Sequence, residues 1–167
     1  SDGGYIFVGG VYSNDGDVEG GYGNGNREVS ILKLDNQGEL EWQKVIAGTG
    51  GESARLGYET EDNNFVIAGD TSSSDGDFAE FPNNGMVNHF LIKLNHINGE
   101  AIWMKTFGGS LNDVLFDLKT TNDGGFVTIG SSSSNDGEVS GNHGSADFWV
   151  VKLGPDCLVP ELNVTTS

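Results

Sequence analysis

Asp123-Gly124-Gly125-Phe126, an apolar run to Gly130, a Ser-rich turn with Asn135-Asp136-Gly137-Glu138, then Asp147-Phe148-Trp149-Val150-Val151-Lys152-Leu153: this stretch decides the fold. Its signals occur twice earlier, in the same order. Asp2-Gly3-Gly4-Tyr5 and Asp62-Asn63-Asn64-Phe65 match its opening turn, Asn14-Asp15-Gly16-Asp17 and Ser74-Asp75-Gly76-Asp77 its acidic turn, and Lys33-Leu34 and Lys93-Leu94 its closing pair. Trp42-Gln43-Lys44 and Trp103-Met104-Lys105 also share a phase. The spacing is about 60 residues, a period that belongs to stacked or radial repeat architectures. Three units follow, about 1–51, 52–109 and 110–153, with 154–167 as a C-terminal tail or linker that fits no repeat position.

Each unit is punctuated by glycine and built from short apolar runs, which predicts an all-β chain with tight turns. The first unit offers strands over Tyr5–Tyr12, Val29–Leu34 and Glu39–Ile46, the last two a hairpin across Asp35-Asn36-Gln37-Gly38. The second offers four, over Ala54–Thr60, Phe65–Gly69, His89–Leu94 and Ala101–Phe107. The third offers Val114–Thr120, Phe126–Ile129 and Phe148–Leu153, and its fourth strand is missing or altered. Four antiparallel strands, repeated, predict a β-propeller-type array of blades, with a β-sandwich or β-solenoid as the alternatives. The array is expected to be part of a larger propeller because three blades fall short of the usual range of about four to eight. Phe90-Leu91-Ile92 and Phe148-Trp149-Val150-Val151 are apolar without alternation, as in strands buried on both faces. An open arc of such blades exposes apolar faces and strand edges, so a neighbouring blade or another chain is expected at the open ends.

The net charge is −17 with 167 residues, which disfavours nucleic acid and anionic membranes as partners. No run is long enough for a membrane span. The single cysteine, Cys157, precludes an intrachain disulfide.

The quoted stretches, with Gly141-Asn142-His143-Gly144 between them, resemble a repeat of secreted Bacteroidetes proteins, of kelch-like or delta-60-like propeller type and often type IX secretion cargo. The resemblance covers nearly all of residues 1–153. It implies an extracellular or outer-surface location and repeats without catalytic activity, some of them accompanied by glycoside hydrolase modules.

Several residues are candidates for function. The acidic turns, with Asn14, Asp15, Asp17, Asp75, Asp77, Asn135, Asp136 and Glu138, place carboxylates two apart around a glycine, a fragment of a Ca2+ loop. Side chains capping their own backbone, with glycine at positive φ, are the reading the pattern favours over a metal loop. Tyr22, Phe78 and Phe81 lie in loops that differ between units and are the candidate ligand contacts. Trp42, Trp103 and Trp149 are expected in the core. Lys33, Lys93 and Lys152 share a repeat position and are expected either to pair with a nearby Asp or to snorkel past apolar neighbours. His89, His96 and His143 lack metal-site spacing, no nucleophile motif joins Ser, His and Asp, and Asn163-Val164-Thr165 matches a short glycosylation acceptor pattern. The expected function is a non-catalytic surface module for adhesion or for binding a glycan or surface protein. The alternatives are an accessory propeller of a secreted polysaccharide-degrading enzyme and a structural part of a surface or secretion assembly.

Overall fold

The computed structural model describes residues 2–16, 18–81, 83 and 85–155, and the backbone of the strand over 160–166. Asp17 and Cys157 lie outside the described residues. The chain is all-β, and its described residues form eleven strands in three antiparallel sheets. The first sheet holds β1 (Tyr5–Val11), β2 (Glu28–Leu34) and β3 (Leu40–Ile46) in that order. The second holds β4 (Glu52–Glu59), β5 (Phe65–Thr71), β6 (Asn88–Leu94) and β7 (Ala101–Phe107). The third holds β8 (Asp113–Thr120), β9 (Phe126–Ser132), β10 (Asp147–Leu153) and β11 (Pro160–Thr166). The only other regular element described is a 3-10 turn at Gly76–Phe78.

The tail is a correction to the sequence reading. Residues 160–166 pair antiparallel with β10, Val150 opposite Val164 and Val151 opposite Asn163, and supply the third unit's fourth strand. The segment opens on Pro160, which has no N–H to give to a ladder, and carries none of the repeat's markers. The first sheet, by contrast, is one strand short, as expected. Among the described residues β1 has a neighbour on one edge, where β5 and β9 have two.

The sheets stack face to face over two cores. Successive strand residues point to opposite faces. On the second sheet Phe65, Ile67, Phe90 and Ile92 therefore turn to the first sheet's Val29, Ile31, Trp42 and Ile46. Val66, Ala68 and Leu91 turn the other way, toward Leu115, Trp149 and Val151 of the third. β5 is buried along its whole length. The continuous apolar run Phe90-Leu91-Ile92 is thus buried on both sides, as its sequence predicts. Phe148-Trp149-Val150-Val151 is not. Trp149 and Val151 enter the second core, but Phe148 is 56% exposed and Val150 half-buried, because no described sheet covers that face.

The two junctions between sheets are built alike. The Trp42 ring lies 6.2 Å from Phe65, and Trp103, one repeat on, lies 6.2 Å from Phe126. The Trp42 indole also donates to the His96 carbonyl at 2.9 Å, tying β3 to the β6–β7 turn of the next sheet. All three tryptophans do pack in the stack.

Candidate functional site

The antiparallel ladders put unlike connections at the two ends of the stack. One end carries tight turns: 35–39, 60–64, 95–100 and 121–125. The other carries the long loops 12–27, 72–87 and 133–146, together with the crossovers 47–51 and 108–112 that lead from one sheet to the next. Loops held on a rigid sheet frame are where binding tends to sit.

At the loop end the acidic turns grip the crossovers. The Asp75 carboxylate accepts the Thr49 N–H at 2.8 Å and the Thr49 hydroxyl at 2.7 Å, and these donors hold it below the usual carboxylate range. Asp77 Oδ2 accepts the Ala47 N–H at 2.9 Å. One repeat later Asp136 accepts the Ser110 N–H at 2.7 Å and is likewise lowered by it, while Glu138 accepts the Gly108 N–H at 3.1 Å. The glycine between each pair is needed twice over. Gly76 and Gly137 have φ of 60° and 62°, and a Cβ there would stand 2.4 Å from the carbonyl of Ala47 or Gly108. These carboxylates therefore serve as receptors for backbone N–H groups, the capping alternative open to the sequence. In the first unit no crossover precedes the turn among the described residues, and Asp15 takes the Ser13 hydroxyl at 2.6 Å. Asn135 Oδ1 accepts the Gly141 and Asn142 N–H groups, and the Asn14 amide fills the space beside Gly23. Among the described residues no group of three Asp, Glu, His or Cys side chains is placed to hold a metal ion.

Behind each grip sits a buried carboxylate that the sequence reading missed. Glu52, 1% exposed, accepts the Gly48 N–H (3.1 Å), the Thr71 hydroxyl (3.0 Å) and the Ser73 hydroxyl (2.6 Å). Asp113 repeats the arrangement with the Gly109 N–H (2.7 Å), Ser134 (3.0 Å) and a short bond from Ser132. Burial raises the Glu52 carboxyl above its ordinary value, and the nearby Glu28 charge adds to this. Glu28 itself accepts the N–H groups of Tyr22 (2.7 Å) and Gly23 (3.2 Å) through Oε1. Its Oε2 is buried with no donor among the described residues. The available signal was phase: Thr71-x-Ser73 and Ser132-x-Ser134 both follow the second strand of their unit.

The three candidate aromatics part company. Phe78 is fully buried, edge-on to Phe90 at 5.6 Å between ring centres, and Phe81 packs against the same core. The 3-10 turn rolls Phe78 inward, and Val139 occupies the matching place in the third unit, so this position plugs the core in both units and offers no surface for a ligand. Tyr22 alone stays open, 48% exposed, with its hydroxyl beside Gly76. Asn24 and Asn26 next to it donate to the Thr49 carbonyl, so the first loop leans on the first crossover. Tyr12 is also exposed in this loop.

At the turn end the lysines pair as expected. Lys33 meets Asp2 at 2.8 Å and Glu41 at 2.6 Å, Lys93 meets Asp62 at 2.7 Å, and Lys152 meets Asp123 at 2.8 Å. Lys33 and the Gly4 N–H hold the Asp2 carboxyl down at about 2. At Asp62 burial opposes ionisation, but Lys93, Thr60 and Asn64 outweigh it and the carboxyl lies well below its usual range. Two cavities, ≈330 and ≈350 Å³, open beside these pairs, the first lined by Lys33, Phe65 and His96, the second by Lys93, Thr121 and Phe126. They occupy matching places at the two junctions.

His89 is a packing group. Burial lowers its pKa to about 3, so the ring is neutral at ordinary pH, seated 5.2 Å from Phe107 and 4.9 Å from Trp149. His143 lies 3.3 Å from Asp147 at the surface. Among the described residues no helix is long and apolar enough to cross a membrane. A comparison with protein-family models and with curated protein sequences finds no match to this chain.

Proposed function

We propose that this chain is a non-catalytic binding module, an arc of β-propeller blades whose long loops, on one end of the stack, take an extracellular glycan through Tyr22. The observation that supports the reading is the contrast at that end. The acidic turns of the second and third units are spent on fixing the crossovers, while Tyr22 stays exposed on a loop that Glu28, Asn24 and Asn26 hold in place. A half-exposed tyrosine ring beside several amide side chains is chemistry that stacks on a sugar face and bonds its hydroxyl groups. The repeat arrangement, with like sheets stacked at like junctions, supports the propeller reading. The sequence resemblance supports placement outside the cell or at its outer surface.

The test is a glycan array probed with the chain and with Tyr22→Ala. Binding that drops at least tenfold in the variant supports the reading. An array on which the chain binds nothing removes it, and retention on a protein surface partner through the same loop selects protein adhesion instead.

A further inference from the structure

The two exposed faces of the stack are the two halves of a junction that the chain already builds twice. The outer face of the first sheet carries Tyr5 and Phe7, which are 55% and 52% exposed, with Ser30 and Leu32 beside them. In the second sheet the same positions are Phe65, Ile67, Phe90 and Ile92, all buried against the sheet before. The outer face of the third sheet carries Phe148 and Val150. In the second sheet those positions are His89 and Leu91, buried against the sheet that follows.

The shapes match in detail. His89 of the second sheet sits over Gly130 of the third, close enough that a Cβ on that glycine would lie 2.9 Å from its ring. The glycine at the same position of the first sheet is Gly9, and nothing among the described residues lies within 4 Å of a Cβ placed there. Gly9 opens into a hollow of ≈290 Å³ with Phe7, Val11, Ser30 and Leu32. The hollow exists because Ser30 stands where the later units have Phe90 and Trp149. The residue at the His89 position of the third sheet is Phe148, a larger apolar ring projecting into solvent.

We infer that this chain associates head to tail with a second copy of itself, Phe148 of one copy seating over Gly9 in the hollow of the next. The occupant follows from the repeat. Each covered face in the molecule is covered by another unit of the same repeat, and both uncovered halves lie on one chain. Such a contact is heterologous, closing into a ring or continuing as a filament. Two chains bring six sheets together, within the usual range of propellers. The inference stands on the end faces and is independent of what the loops bind.

Sedimentation velocity on the intact chain, with Phe148→Asp and Phe7→Asp, tests it. The wild type is expected to sediment above its monomer mass of 17.7 kDa, increasingly so at higher concentration. Each variant alone is expected to be a monomer, with far-UV circular dichroism unchanged because both side chains are exposed. Mixed in equal amounts they are expected to form a dimer, since one retains the first-sheet face and the other the third-sheet face. A wild type monomeric at every concentration overturns the inference. So does a mixture that stays monomeric, or a variant that still self-associates alone. If an Asp variant loses its fold, Phe148→Ser and Phe7→Ser make the same comparison.

Discussion

The junction between the first and second sheets and the junction between the second and third share a frame and differ in one buried pair. Both have a Trp against a Phe, an acidic turn holding a crossover and a buried carboxylate taking a glycine N–H. The first buries Glu28 next to Glu52. At the second the corresponding residues are Asn88 and Asp113, an amide beside a carboxylate. The repeat therefore fixes the joints by geometry and lets the charge inside them vary. The first joint carries a like-charge cost that the second avoids.

The strongest way to break the comparison is through the cores. Phe90→Ala is expected to cost about 3–5 kcal/mol in chemical denaturation, as a large cavity in a packed interior does. Phe148→Ala, on the open face of the last sheet, is expected to change the monomer's stability by no more than about 0.5 kcal/mol. Equal losses would mean that the middle sheet is not flanked on both sides.

Next come the buried carboxylates. Asp113→Ala strands the Gly109 N–H and two hydroxyls at the second junction, and about 1–3 kcal/mol of stability is expected to go with them. Glu28→Gln works the other way. It keeps an acceptor for Tyr22 and Gly23 and removes a charge facing Glu52. The folded Glu52 carboxyl lies above its ordinary value of 4.5. Its favourable contribution is therefore complete below pH 4.5 and falls as pH rises through the folded value. Glu28→Gln is expected to shrink that fall and raise the melting midpoint at neutral pH. A lower midpoint would show that the two carboxylates are not opposed.

The clasps at the turn end give the smaller, opposite pH effect. Asp2, Asp62 and Asp123 are held below their ordinary value of 3.8, so their contribution is present above that pH and disappears as pH falls through the folded values. Asp62→Asn is expected to flatten the acid limb of a melting profile by a few degrees at most, since the Asp62 side chain is 53% exposed. Smallest of all, a chelator is expected to leave the melting midpoint unchanged, because the acidic turns of the second and third units already face backbone N–H donors. A midpoint lowered by chelator and restored by Ca2+ would put the metal back into those turns.

Much of this frame was legible from residue phase. The Asp-x-x-aromatic turns, the Lys-Leu endings and the paired tryptophans located the strands, and the Lys–Asp pairs and the double burial of Phe90-Leu91-Ile92 followed from the pattern. What escaped had physical causes. β11 opens on a proline and shares no marker with its counterparts β3 and β7, so only its pairing with β10 reveals it. Phe78 looked like a loop aromatic because its inward turn depends on Gly76 adopting φ of 60° against the carbonyl of Ala47, a residue distant in the chain. Phe148 has the sequence of a doubly buried strand residue, and nothing in the pattern shows that no described sheet covers its outer face. Glu52 and Asp113 were hidden because isolated acidic residues ordinarily mean surface.

Like sheets stack through a joint that recurs with the repeat. Nuclear Overhauser contacts between the aromatic protons of Trp42 and Phe65, and of Trp103 and Phe126, measure both joints at once. The account predicts both sets of cross-peaks in the native chain. A chain that shows one set without the other, or neither, contradicts it.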